Sequence, residues 1–315
     1  MIAGVKGESM GGKRGFTLIE LIVVIAVLGL LATLMVGMSA SLISQQRLQT
    51  TRARLANIDT ALVLHVTQYK RLPCPADGTV DSTLNNAGVE RATVGPPRTC
   101  DLNQRDGVVP WRALGLTAAD IEDGWGTRFT YRVGPDLVVD NAMDFSSCDP
   151  AGTGPIPVTT PPFCNAFGSG GANCNAANLG QCTPPIGALA CTAAGTKGLL
   201  VENVAGTVLM ETRCNATSDP TTGAAYVVIS HGAEGGGGYN AQGRLQSSST
   251  APGTSEAMNF ANLQYLPPPV WPAAPTSFLV DDVYMAPIGV HFDDIVSRPS
   301  ILAVATKAQI GPRAH

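Results

Sequence analysis

The chain has 315 residues, a formal net charge of −4 and only 14% charged side chains, with 35 glycines, 23 prolines and eight cysteines. So mild an acidity, with no basic patch, argues against a nucleic-acid partner. The charge is unevenly placed along the chain.

The first predicted element is apolar. Leu21 to Met38 reads LIVVIAVLGLLATLMVGM, 18 residues without a charge, and no charge follows until Arg47. At about 1.5 Å per residue such a helix can cross a hydrocarbon core of roughly 30 Å. Lys6, Lys13 and Arg14 precede it against the single acid Glu8, so the short N-terminus is expected on the cytoplasmic side and the rest outside. A secretory signal peptide is the plainer alternative, but its apolar region runs to about 7–15 residues and ends at a small-residue cleavage site. This run is longer, and Ser39-Ala40-Ser41 is a poor site. Glu20 stands at the mouth of the span, where an acid costs energy in lipid. The helix dipole relieves part of that cost in the first turn, and a positive charge from another copy of the chain would relieve the rest.

The segment Gly15-Phe16-Thr17-Leu18-Ile19-Glu20 resembles the processing motif of type IV prepilins and type II secretion pseudopilins, with the likeness covering about residues 13–45. The resemblance implies cleavage between Gly15 and Phe16 by a prepilin peptidase that also methylates Phe16. It implies that Glu20 faces the terminal amine of a neighbouring subunit in a filament. The implied partners are other pilin or pseudopilin subunits, the peptidase/methyltransferase, an inner-membrane assembly platform and the lipid bilayer; major pseudopilins hold a calcium ion in a C-terminal loop, but that motif does not match this chain residue by residue, and no cofactor is expected. Residues 1–15 would be a cytoplasmic leader, and their loss removes three bases and one acid, taking the charge from −4 to −6.

The helix is expected to continue, with residues 16–43 transmembrane and 44–71 amphipathic. Leu48, Leu55, Ile58, Leu62, Val66 and Tyr69 recur at helical spacing while Arg47, Arg52, Arg54, Asp59 and Lys70 fall mostly off that stripe. Leu72-Pro73 ends the element. Where many pilins carry a proline in the membrane half, this chain has Gly37, with Gly29 upstream; glycine weakens a helix without forcing a kink. Gly29, Ala32 and Gly37 would allow close packing between spines.

Residues 72–315 are expected to form an extracytoplasmic head with a core of its own, giving an α+β chain in which a long helix packs on an antiparallel sheet. Cys74, Cys100, Cys148, Cys164, Cys174, Cys182, Cys191 and Cys214 read as disulfide candidates in an oxidising compartment, and Cys74 with Cys100 would staple the helix exit to the next loop. Zinc is disfavoured, because no C-x-x-C pair occurs and the head histidines are only His231, His291 and His315. A cysteine-rich insertion is expected at about 146–198.

Within the head, Arg71 to Gly78 and Asp123-Gly124-Trp125-Gly126 resemble the post-helix loop and D-x-W-G turn of pseudopilin heads. Trp125 is expected to fill the helix–sheet interface as a core aromatic. Phe129, Tyr131 and Val133 alternate as a strand, with Leu137-Val138-Val139 expected to pair with it. Further strands are expected at 199–204, 207–210, 226–229 and 278–280, a short helix at 255–260, and a terminal helix or strand pair at 292–296 and 301–308.

Ser230-His231-Gly232 lacks a G-x-S-x-G turn, no H-E-x-x-H occurs, and the glycines at 235–238 lack the lysine of a phosphate loop and read as a flexible turn. Asp281-Asp282, Asp293-Asp294 and Asp120 with Glu122 and Asp123 could offer oxygens to calcium, but no EF-hand spacing appears, and solvated turns or caps are the simpler expectation. The chain therefore reads as a non-enzymatic minor pilin or pseudopilin, with a tip-located adhesin using the same processing route as the alternative and an anchored hydrolase as a remoter one. The expected location is the bacterial inner membrane and then the filament.

Overall fold

In the computed structural model the described residues are 17–93, 100, 106–134, 137–138, 140–144, 198–210, 223–247, 256–259, 279–282 and 292–311, with helical backbone but not side chains described for 31–41. Helix α1 spans Leu18–Tyr69. The chain divides into two compact units, Met1–Gln46 and Arg47–His315. In the first, the described apolar side chains are exposed all round, from Leu18 and Ile19 to Leu30. Among the described residues no helix is long and apolar enough to cross a membrane, and residues 31–41, the second half of the apolar run, fall outside that count.

The second unit is α+β and layered. Strands β1 (Asp106–Val108), β3 (Thr130–Val133), β6 (Tyr226–Ser230) and β9 (Ile295–Ser297) form an antiparallel sheet in the order β1-β3-β6-β9. Register pairs Gly107 with Tyr131, Tyr131 with Val228, and Ile229 with Val296. On one face Tyr131, Val133, Tyr226 and Val228 share a core with Leu55, Ile58, Leu62 and Val66 of α1 and with Ile301 and Val304 of α2 (Ile301–Lys307). On the other face Val227 and Ile229 pack with Val201, Ala224 and Leu279. Val201 and Leu279 belong to a three-stranded sheet of β5 (Val208–Met210), β4 (Val201–Glu202) and β8 (Leu279–Val280). A strand covered on both faces needs no polar alternation, which explains the unbroken Tyr-Val-Val-Ile of β6. A two-stranded ribbon of β2 (Thr127–Arg128) and β7 (Tyr239–Asn240) completes the unit.

The amphipathic stripe packs as the spacing predicts at Leu55, Ile58, Leu62 and Val66, all 0–6% exposed. Tyr69 does not, being half exposed, because α1 ends there; its ring lies beside His65, 4.5 Å between centroids, and under the Arg71 guanidinium at 5.9 Å. Lys70 takes a left-handed conformation, φ 56°, and donates its N–H to Val66 O at 2.7 Å, closing the helix. Arg71 is buried and holds Glu90 through both carboxylate oxygens at 2.6 and 3.1 Å. Glu90 also accepts the Cys74 N–H at 2.9 Å. Cys74 and Cys100, the pair singled out in the sequence, are joined by a disulfide. The other six cysteines, and the insertion expected at about 146–198 except for Gly198, lie outside the described residues.

Three expectations are corrected. Leu137 and Val138 are buried but form a turn rather than a strand. The reason is that β1 and β6 occupy both edges of β3, while Leu137 donates to Gly134 O and its carbonyl accepts from Leu72 N–H at 2.9 Å. Trp125 is only half-buried, and the core indole is Trp111, 3% exposed, stacked by the Arg128 guanidinium at 5.3 Å. Gly235 and Gly238 are buried in close packing rather than in a loose turn; a Cβ on Gly238 would lie 2.6 Å from the His231 ring.

Arg128 is fully buried and donates to the carbonyls of Gly78 at 3.1 Å and Val80 at 2.8 Å, and to Ala241 O. Arg128→Met should therefore strand three carbonyls and cost about 3 kcal/mol, read as a lower urea midpoint. Cys74→Ser with Cys100→Ser opens a loop of 26 residues and should cost roughly 3 kcal/mol on the same assay.

Candidate functional site

Two groups of residues carry the functional question. The first is the start of α1. Gly15 and Phe16 lie outside the described residues. Thr17 stands just before the helix, its carbonyl accepting from Glu20 N–H at 3.1 Å and Leu21 N–H at 3.2 Å, its hydroxyl 3.4 Å from Glu20 N. Thr17-Leu18-Ile19-Glu20 therefore has the T-x-x-E pattern of a helix N-terminus. That signal was readable in the sequence but passes unnoticed when the segment is taken only as a processing motif. It fixes Glu20 in the first turn, exposed between the exposed apolar side chains Ile19 and Leu21. A helix that is apolar all round must be covered by lipid or by other protein, and an acid within such a surface asks for a cationic partner there.

The second group lies where α1 leaves that surface. The turn at Asp123–Gly126 docks on the helix through backbone groups: Gly124 N–H donates to Thr51 Oγ1 at 2.9 Å, and Arg54 donates to the carbonyls of Glu122 at 2.6 Å and Asp123 at 3.2 Å. A Cβ on Gly124 would fall 2.4 Å from Arg47 O, so only glycine permits this approach. Asp123, 2% exposed, shapes the turn by accepting Trp125 and Thr127 N–H, each at 2.9 Å, and takes the Ser230 hydroxyl at 2.7 Å. Farther along α1, Asp59 accepts Tyr226 Oη–H at 3.0 Å and the Ser297 hydroxyl at 2.7 Å. Asp59 was expected off the apolar stripe; it instead ties the helix to β6 and β9.

Ser230 and His231 tempt a catalytic reading, and the geometry opposes it. The Ser230 hydroxyl is given to Asp123, while His231 Nε2 meets Thr130 Oγ1 at 2.7 Å and its Nδ1 lies 3.7 Å from Asp294 Oδ1. Thr130, His231 and Asp294 are each at most 2% exposed, so no substrate reaches them. The acids expected as solvated turns or calcium ligands are mostly engaged elsewhere. Asp293 accepts Ala233 N–H at 2.8 Å, Asp294 accepts the Asn259 amide at 2.7 Å, Asp281 pairs with Arg298, and Asp282 accepts Val204 N–H at 3.0 Å. Asp123, Asp293 and Asp294 are buried rather than solvated, because each closes backbone or side-chain donors inside the head; Asp120, exposed, caps Thr117. Among the described residues no group of three or more His, Cys, Asp or Glu side chains could hold a metal ion.

Burial holds His231 neutral, with its pKa lowered from 6.5 to about 3, and the nearby Arg132 charge adds to the effect. The unfolded imidazole takes its proton near pH 6.5 and the folded one does not, so this contribution to stability is complete above pH 6.5 and is lost as pH falls toward about 3. Asp59 and Asp123 work in the opposite sense, since burial raises both carboxyls above 3.8, and acidification favours their folded form. His231→Gln leaves those acids in place and should flatten the fall of stability between pH 6.5 and 3, measured by urea titration at a series of pH values.

Compared with known proteins, no curated protein and no solved structure matches the chain. Residues 10–36 match the prokaryotic N-terminal methylation motif, and the chain thus carries the prepilin-type signature of type IV pilins and pseudopilins.

Proposed function

We propose that the protein is a structural subunit, a minor pilin or pseudopilin, of a type IV pilus or type II secretion filament. The observation that carries this reading is the coincidence, at one site, of the methylation motif over residues 10–36 with a capped helix whose described apolar side chains are exposed and whose first turn holds Glu20. Residues 1–15 are the leader, residues 16–71 the spine with its transmembrane part at 16–43, and residues 72–315 the extracytoplasmic head. A prepilin peptidase cuts after Gly15, and Phe16 becomes the methylated first residue. The spine is first held in the inner membrane and then moves from lipid into a bundle of like spines. There the amine of one Phe16 meets the Glu20 carboxylate of a neighbour and sets register, since a misplaced carboxylate stays unpaired in an apolar surrounding. The work is mechanical, and the buried Ser230 and His231 serve the fold.

Two measurements test this. Edman sequencing and mass analysis of the exported protein should give N-methylated phenylalanine followed by Thr17; any other first residue overturns the processing step. Glu20→Val should still insert and be cleaved, but its incorporation into filaments should fall roughly tenfold or more. Undiminished incorporation would remove Glu20 from the register.

A further inference from the structure

Of the eight cysteines, Cys74 and Cys100 are joined to each other. Five of the remaining six, Cys148, Cys164, Cys174, Cys182 and Cys191, fall between Asp144 and Gly198, and the sixth is Cys214, four residues past the end of β5. An odd set cannot pair wholly within itself. Where every thiol of the chain is oxidised within one copy, Cys214 is therefore the partner of one of those five, whichever way the other four combine.

The hairpin that Cys214 follows supplies a second, independent observation. Its turn is closed by Asn203, whose N–H donates to Thr207 O at 2.9 Å and whose side-chain oxygen accepts Thr207 N–H at 2.7 Å, while Val204 N–H is taken by Asp282 at 3.0 Å. On this fixed hairpin Val204, Val208 and Leu209 are 48%, 38% and 36% exposed, and no charge occurs from Asn203 to Met210. Register pairs Val201 with Met210 and Glu202 with Val208, so Leu209 is the extra residue of a bulge, which bends β5 away from further ladder pairing. The hairpin thus offers apolar side chains for cover and not a template for another strand. Its base is also where the cysteine-bearing segment rejoins the fold. Gly198 lies three residues before Val201, and Cys214 four residues after its partner Met210, so both are within about 10–13 Å of extended chain from that pair.

Resting on the reading of the head as extracytoplasmic and hence oxidised, we propose that Cys214 is joined by a disulfide to one of the five cysteines of residues 145–197, and that this bond seats that segment over the apolar side chains of the β4–β5 hairpin. Formation is thiol–disulfide exchange with an oxidised dithiol of the compartment. One thiolate of the pair attacks the oxidant's disulfide, and the second cysteine displaces the mixed disulfide; one S–S bond forms in this chain, one breaks in the oxidant, and two electrons and two protons leave with the reduced dithiol. A bond from Cys214 to Cys214 of a second copy would also consume the thiol, but it would leave an odd cysteine among the five and nothing tied across the hairpin.

The test uses the full chain taken from cells treated with N-ethylmaleimide at harvest, digested without reduction and read by mass spectrometry. The peptide holding Cys214 should be linked to one holding Cys148, Cys164, Cys174, Cys182 or Cys191, and reduction should separate the two. The Cys74–Cys100 link is the internal reference. If Cys74 and Cys100 carry the alkyl group, the head does not lie in an oxidising compartment, and the extracytoplasmic reading falls together with this inference. If that link is intact and Cys214 is alkylated, or is bridged to Cys214 of a second copy, this inference alone is overturned. Seating is read by hydroxyl-radical labelling of the undigested protein, in which Leu209 should label about threefold or more below Leu64. Labelling in the ratio of their exposures, 36% to 63%, would overturn the seating.

Discussion

The head depends on how one turn grips the helix it rests on. Asp123 closes the turn on itself, accepts the hydroxyl of Ser230 at the end of β6, and leaves its carbonyl to Arg54. Gly124 lets the turn backbone touch α1 at Arg47, with Thr51 receiving its N–H. Backbone groups at the foot of a sheet are thereby satisfied by a helix, and the helix gains a fixed register against the sheet. The apolar contacts of Leu55, Ile58 and Leu62 supply most of the stabilisation. They are not directional, and the position along the helix is set by Thr51, Arg54 and Asp59.

The sheet behind this contact is covered twice. Its helix-facing side chains follow the simple strand alternation, and its other face is closed by the β5-β4-β8 sheet and by the network of Thr130, His231, Asp294 and Asn259. Buried polar groups of this kind add little net energy when satisfied and cost several kcal/mol when broken. Their effect is to exclude other registers, because no shifted pairing of β3 against β6 would return Thr130 to His231 and Ser230 to Asp123 together.

Local pattern made part of this legible. The apolar run, the stripe on α1 and the strands at β3 and β6 follow from the spacing of side chains along the chain, as does the break before Pro73. What sequence spacing did not reveal depends on partners distant in the chain. Trp125 and Trp111 are equivalent as letters, and only the depth of Trp111 beneath Arg128 separates them. Leu137 and Val138 have the composition of a strand, but the edges of β3 were already taken. Asp59, Asp123 and Asp294 look like solvated acids until Tyr226, Ser230 and Asn259, 167, 107 and 35 residues away, arrive to donate. The start of the helix at Thr17 was legible and overlooked, since one short segment carries both a capping pattern and a processing signal.

The exit of α1 has a mechanical meaning. A pull directed along the helix is borne first where Thr51, Arg54 and Asp59 tie it to the head, and what passes them meets, one after another, the forked grip of Arg71 on Glu90, the Tyr131 hydroxyl on Pro73 O at 3.0 Å and the Cys74–Cys100 covalent link. The last anchor in that series is the one that cannot slip, so unravelling from the helix end stops at Cys74.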